Sequence, residues 1–220
     1  MNPADHSVAW DHPPTRRSWT AHMFMNVLGF FGWIAAWIGL LYVLVVFLSP
    51  GFGFLFVLPL CYCVYRAVVQ LRYFPPALRM RRIMRAYPWQ VLQRVPHGLT
   101  SHPDVSEKHH GWFEFPNPAR PEQRLALVFA RHLRTEWWHR RMAPRAKPKL
   151  KAQIESIWFA GDPRFIGLIA VGGRGGTVPR RLHVLEQWAD SRNGQRLSDW
   201  GVTAEDIERG RRVGVYPASP

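Results

Sequence analysis

Residues 23–48, MFMNVLGFFGWIAAWIGLLYVLVVFL, contain no charged side chain, and residues 52–71, FGFLFVLPLCYCVYRAVVQL, contain one, Arg66. Only Ser49, Pro50 and Gly51 separate them. A helix rises 1.5 Å per residue, so about 20 apolar residues cross the ~30 Å hydrocarbon core of a bilayer. Both runs meet that length, and core helices of soluble proteins are seldom so long and so uniformly apolar. The expected fold is a membrane α-helical hairpin of two transmembrane helices (23–48 and 52–71), followed by a small cytosolic mainly-β domain. The division expected is a polar segment 1–22, the hairpin 23–71, a basic juxtamembrane helix 72–88, a β domain 89–186 and a tail 187–220. The first run reads as an uncleaved signal-anchor, being far longer than the apolar core of a signal peptide.

Charge orients the hairpin. Arg16 and Arg17 precede the first run, and Arg72, Arg79, Arg81, Arg82 and Arg85 follow the second. The positive-inside rule then predicts a multi-pass protein of the cell membrane with both termini in the cytoplasm. The chain carries a formal charge of +14, and residues 72–220 hold 26 of its 29 Lys and Arg against 13 of its 15 acidic residues. Such a field favours anionic partners: lipid headgroups, acidic proteins or nucleic acid. The only cysteines, Cys61 and Cys63, lie inside the second run, so no disulfide staples the polar domain, as suits a cytosolic location.

Within the first run Asn26, Gly29, Gly32, Ala36 and Gly39 recur at helical spacing. Small residues on one stripe let backbones approach, and we expect this seam to zip the two helices of one chain rather than join two copies. In an antiparallel hairpin Asn26 comes level with Gln70, which predicts an interhelical hydrogen bond. Trp33 and Trp37 are expected to face lipid or a partner, and Trp19, Tyr65 and Tyr73 to sit at the interfaces. Arg66, about one turn from the end of its run, is expected to snorkel. The runs contain no acidic residue or histidine chain, which argues against a proton-coupled pump.

Beyond Pro75 and Pro76, residues 77–87 read as a basic helix with Met80, Ile83, Met84 and Tyr87 on one face. Next to a membrane, that face is expected in the headgroup region, each arginine worth about 1 kcal/mol against anionic lipid. From Trp89 the pattern turns to short β-branched and aromatic runs at 90–95, 112–115, 125–129, 154–159, 168–171 and 182–185, separated by turn residues. Their number and spacing predict a small sandwich or partly open barrel. The tail looks loosely ordered except for one helix, capped by Thr203 with Glu205 and Asp206 in its first turn. A hairpin followed by a small β domain resembles, in architecture, bacterial membrane-anchored modules with pleckstrin-homology-like folds. No motif assigns a family, and architecture does not supply function.

Four groups of residues are of types that can carry chemistry. The run 171–177 (VGGRGGT) lacks the GK[ST] ending of a phosphate-binding loop and reads as a turn between strands, as does 160–164 around Asp162-Pro163. His97, His102, His109 and His110, with Asp104 and Glu107, match no zinc-ligand spacing, so no metal or cofactor is expected. Trp137, Trp138, Arg140 and Arg141, ahead of Arg145, Lys147, Lys149 and Lys151, mix aromatics with positive charge. That composition suits a membrane surface, single-stranded nucleic acid, or a basic loop with one Trp anchored in the core; lipid ranks ahead of nucleic acid. No G-x-S-x-G, H-E-x-x-H or paired acidic motif appears, and Ser156 and Ser198 have no base nearby in sequence.

The functional expectation is therefore a non-catalytic integral membrane protein. Its hairpin anchors a basic β domain that contacts anionic lipid through Arg72, Arg79, Arg81, Arg82, Arg85, Trp137, Trp138, Arg140 and Arg141, or recruits a membrane or cytosolic protein. The alternatives are an accessory subunit of a membrane transport or secretion complex, binding through its hairpin, and a membrane-bound enzyme with an unfamiliar site.

Overall fold

The computed structural model describes residues 7–47, 53–99, 102, 103, 105, 111–129, 135–173, 178–187 and 194–215. The chain divides into two units, one formed by 19–78 and the other by 1–18 together with 79–220.

The first unit is built on two long apolar helices, α1 (Pro13–Phe47), which starts in the other unit, and α2 (Gly53–Leu71). Their connection, with Ser49, Pro50 and Gly51, lies outside the described residues. The two helices run antiparallel, because Asn26 meets Gln70 while Trp33, two turns later, meets Tyr62 eight residues earlier. Gln70 Nε2 donates to Asn26 Oδ1 at 3.1 Å and to the Asn26 carbonyl at 3.2 Å, so the expected hydrogen bond is present, and both side chains are buried. A Cβ on Gly29 would stand 3.0–3.3 Å from the Gln70 amide, which makes this glycine part of the same contact.

The rest of the expected seam is corrected. Gly32, Ala36 and Gly39 are exposed, and a Cβ on Gly32 or Gly39 would meet nothing within 4 Å. Bulk packs these helices instead: Trp33 sits edge-on to Tyr62 at 5.5 Å, so it does not face outward. Arg66 does not snorkel free of its neighbours either; its guanidinium lies 5.2 Å from the Trp33 ring and 6.0 Å from Tyr62. Trp19 Nε1 donates to the Ala77 carbonyl at 2.8 Å. Both cysteines are free, Cys61 exposed and Cys63 buried.

The second unit is organised by one antiparallel sheet of seven strands: β1 (Gln90–Gln93), β2 (His97–Gly98), β3 (Trp112–Pro116), β4 (Arg124–Phe129), β5 (Ser156–Asp162), β6 (Ile166–Gly172) and β7 (Pro179–Gln187). Their order is β1-β5-β6-β7-β4-β3-β2. β1 and β2 are thus the two edges of the sheet, yet only Arg94, Val95 and Pro96 join them. Seven strands laid flat at ~4.8 Å spacing would put the edges about 29 Å apart. Four residue steps reach about 14 Å at most. The sheet must curl, and it forms a half-barrel rather than a sandwich. Six of the strands were legible in the sequence; the two-residue β2 was not.

Side chains alternate between two covered faces, which is why β5 and β6 read as nearly continuous apolar runs. On the concave side Phe113, Phe115, Leu127, Phe129, Ile157, Phe159, Ile169 and Leu185 form the main core, closed by Trp138 and Met142 of helix α4 (Glu136–Met142). Phe115 stacks on Phe159 at 4.0 Å. Gly167 carries no side chain because a Cβ there would collide with the Phe159 ring. On the opposite side Trp158 meets His12 and Trp89, each at 5.8 Å. Trp89 Nε1 donates to Thr15 Oγ1, and the Ala9 amide donates to the Tyr87 carbonyl. The polar N-terminal segment is therefore tied into the β unit, with Ala9, His12 and Thr15 all buried.

Helix α3 (Phe74–Ala86) begins with Pro75 and Pro76 in its first turn, where a missing amide costs nothing. Its apolar stripe was expected at a membrane surface. It is instead core: Met80, Ile83, Met84 and Tyr87 are 0–6 % exposed. The tail is also better packed than its composition suggested. Past the short α5 (Pro148–Lys151) and a 3-10 turn (Ala152–Ile154), helices α6 (Gly194–Asp199) and α7 (Ala204–Arg212) and the residues that follow each of them bury Leu197, Trp200, Ile207 and Val213. Thr203 caps α7 as expected, in a reciprocal pair with Asp206.

Candidate functional site

The basic residues singled out in the sequence have different surroundings. Arg79 pairs with Glu186 of β7, and the guanidiniums of Arg81 and Arg85 lie 5.2 and 5.4 Å from the Trp10 ring. Those three serve the packing of α3 and the N-terminal segment. Arg72 and Arg82 are exposed. Trp138 is withdrawn from any surface role, at 1 % exposure among Phe113, Phe129 and Met142.

Trp137, Arg140 and Arg141 remain, and the fold adds a partner from a distant strand. In α4, Trp138 and Met142 stand one turn apart and point into the core, which turns Trp137 and Arg141, also one turn apart, away from its centre. The Arg141 guanidinium lies 3.6 Å above the Trp137 ring. It is fixed there by bonds from Nη1 to the Trp137 carbonyl (2.8 Å) and from Nε to Gln153 Oε1 (2.9 Å). Arg181 of β7 brings a second guanidinium to 5.5 Å from the same ring. Burial, then the neighbouring charges of Arg181 and Arg140, lower the pKa of Arg141. Among the described residues no carboxylate pairs with Arg140, Arg141, Arg180 or Arg181. The result is an aromatic platform flanked by positive charge that no described carboxylate offsets.

Arg180 and Arg181 escaped the sequence reading because two arginines inside a strand carry no visible signal. The structure makes them distinctive. Val171 pairs with Arg180 and Ile169 with His183, so Ala170 faces two residues of β7, a β-bulge. Arg181 takes φ +56° within it.

A second charged group has a structural role. Arg164, 4 % exposed, donates to both Asp162 oxygens, reaches Asp206 Oδ2 at 3.0 Å and donates to the Gly201 carbonyl. Burial works to lower the Arg164 pKa, but Asp162 and Asp206 outweigh it and raise the value. This clamp ties α7 to the β5–β6 turn. Beside it the Tyr87 hydroxyl is buried with no hydrogen-bond partner among the described residues. Burial first, then the charge of Asp162, push its pKa up.

The described histidines of the His97–His110 group, His97 and His102, keep separate partners. His97 bonds the Val95 carbonyl at 2.8 Å, while His102 bonds Glu114 at 2.9 Å and lies on Trp112. Asp104, Glu107, His109 and His110 lie outside the described residues. Among the described residues no three metal-ligating side chains come together. The glycine-rich run joins β6 to β7, closed by Gly173 N to Val178 O at 2.8 Å; its residues 174–177 lie outside the described residues. The turn at Asp162-Pro163 is present as the β5–β6 connection. An open depression of about 610 Å³ lies by the gap between the sheet edges, its lining combining Val95, Pro96, Pro148 and Ile154 with the polar Arg94, His97, Lys151 and Glu155. Ser156 Oγ accepts a hydrogen bond from Gln93 Nε2 at 3.1 Å.

Comparison with protein-family models, with curated proteins and with solved structures finds no match to this chain.

Proposed function

We propose that the protein is an integral membrane protein whose helical hairpin anchors a basic half-barrel domain at the cytoplasmic face of the cell membrane. The domain contacts anionic lipid or recruits a partner there, without catalysis. One observation carries the anchoring: among the described residues, all the exposed large hydrophobic side chains except Val91 lie between Phe24 and Leu78. Val45 and Leu58 are 79 % and 80 % exposed, and both helices are long and apolar enough to span a bilayer. An apolar surface that continuous is costly in water and costs nothing in hydrocarbon. The polarity of the β unit and the charge around Trp137 support a role at an anionic surface.

The test is extraction of the full-length chain from membranes. Retention in the pellet through both 1 M salt and alkaline carbonate is expected, and release by carbonate overturns the anchoring. A second reading, an accessory subunit bound through the hairpin, draws on the exposed face of Gly32, Ala36 and Gly39, where another helix backbone can approach closely. Loss of a co-purifying membrane protein on Gly32→Leu would favour it.

A further inference from the structure

We propose that Arg181, whose guanidinium meets the Trp137 ring, forms with the exposed Arg140 of α4 and the exposed Arg180 that precedes it in β7 a binding site for the phosphate of an anionic lipid headgroup. The proposal rests on the membrane-anchored reading above and makes it specific to one side-chain cluster.

The bulge in β7 is the first argument. In a regular strand consecutive side chains point to opposite faces. Both faces of this sheet are covered, so regular pairing would turn one of Arg180 and Arg181 inward. Placing two residues opposite Ala170 leaves both arginines exposed while Leu182, the next residue, is 9 % exposed. The bulge holds Arg181 at φ +56°, where glycine sits without strain and arginine does not. A strained non-glycine residue that contributes no core packing points to a use for its side chain.

Charge is the second argument. Arg141 is committed to Trp137 and Gln153, and Arg181 and Arg140 crowd it with no carboxylate among the described residues to offset them. Each of these groups gains when an anion enters the cluster. Guanidinium forks match phosphate oxygens in pairs, and an indole beside them suits the headgroup layer. Both features recur at phosphate sites generally, so position decides the source. Pro179, the residue before Arg180, accepts a 2.6 Å hydrogen bond from Ser18 Oγ, and Ser18 stands five residues before Met23, where the apolar run begins. Five residues extend to about 18 Å at most. With that run in a bilayer, chain length alone keeps this end of β7 within reach of headgroups, which favours lipid over free phosphate or nucleic acid.

The test uses the full-length chain in a neutral detergent, with bound lipid counted by native mass spectrometry after addition of phosphatidylglycerol or phosphatidylcholine. Wild type should bind phosphatidylglycerol in preference. Arg181→Gly should weaken that binding about fivefold, and Arg180→Ala with Arg181→Gly about 25-fold, as expected for lost arginine contacts to anionic lipid. The melting temperature of Arg181→Gly should not fall, because glycine takes the bulge conformation freely. Arg120→Ala, an exposed arginine on the β3–β4 turn, should leave the preference unchanged. Equal losses from Arg120→Ala and Arg181→Gly would reduce the effect to net charge and overturn the site. So would unchanged phosphatidylglycerol binding in Arg181→Gly. Displacement of the lipid by equimolar inorganic phosphate, or by a single-stranded oligonucleotide whose binding falls in Arg181→Gly, would overturn the lipid assignment. Carbonate extraction of the same variants reports separately on anchoring, so a protein that stays in the membrane without lipid preference sinks only the site.

Discussion

Replacing Arg164 by Met tests how the C-terminal helices are held. Arg164 is 4 % exposed and Asp162 5 %, and the guanidinium meets Asp162 at 2.7–3.2 Å, Asp206 at 3.0 Å and the Gly201 carbonyl at 3.0 Å. Methionine keeps most of the volume and removes the charge, leaving Asp162 buried beside a second carboxylate. Breaking a buried ion pair from one side costs about 3–5 kcal/mol. For a domain of this size 1 kcal/mol moves the melting temperature by roughly 2–4 °C, so the full-length variant in detergent should melt roughly 6–20 °C lower. Asp162→Leu added to Arg164→Met should recover part of the loss by removing the stranded charge. The pH dependence has a definite sign. Burial would raise the Asp206 pKa, but the amide and hydroxyl of Thr203 together with Arg164 outweigh it and hold the pKa below its usual 3.8. A depressed carboxylate pKa contributes stability above about pH 4 and loses it as pH falls through the folded-state value. The gap between wild type and variant, followed by near-UV circular dichroism, should therefore narrow as the pH falls below 3.8. A shift under about 2 °C at neutral pH, or a gap unchanged by acid, would refute the clamp.

Tyr87→Phe removes a buried hydroxyl that has no partner among the described residues, so thermal unfolding should show it neutral or more stable by about 1 kcal/mol. Because the folded-state pKa of Tyr87 is raised, wild type should lose stability as pH climbs past 10.0, and the variant should lose less. Trp138→Ala should cost about 3–5 kcal/mol by emptying the core under the half-barrel, whereas Trp137→Ala should cost much less in the same melting assay. Gly29→Leu should displace Gln70 from Asn26 and lower the yield of a disulfide between cysteines placed at Trp33 and Tyr62, and Gly32→Leu should leave that yield unchanged.

What the sequence revealed divides along physical lines. Apolar length and flanking charge are local properties, so both long helices were legible, and level-matching in an antiparallel pair was enough to join Asn26 to Gln70. Spacing alone could not say which stripe of α1 meets α2; the Trp33–Tyr62–Arg66 contact decided it, and Gly32 and Gly39 turned outward. The amphipathic stripe of α3 was read correctly as a stripe, but an apolar face does not declare its partner, and the β unit buries it. The tail seemed loose because its anchor is Arg164, 42 residues before Asp206. Arg181 was invisible for a related reason: a bulge depends on the register of the facing strand, which only the folded sheet defines.

The most direct test of the central claim places a single cysteine either at Ser49, between the two helices, or at Ser7, in an otherwise cysteine-free chain in intact cells. Labelling with a membrane-impermeant maleimide should reach Ser49→Cys from outside and leave Ser7→Cys untouched until the membrane is permeabilised. Labelling of both from outside, or of Ser49→Cys only after permeabilisation, would contradict a hairpin that crosses the membrane with its β domain in the cytoplasm.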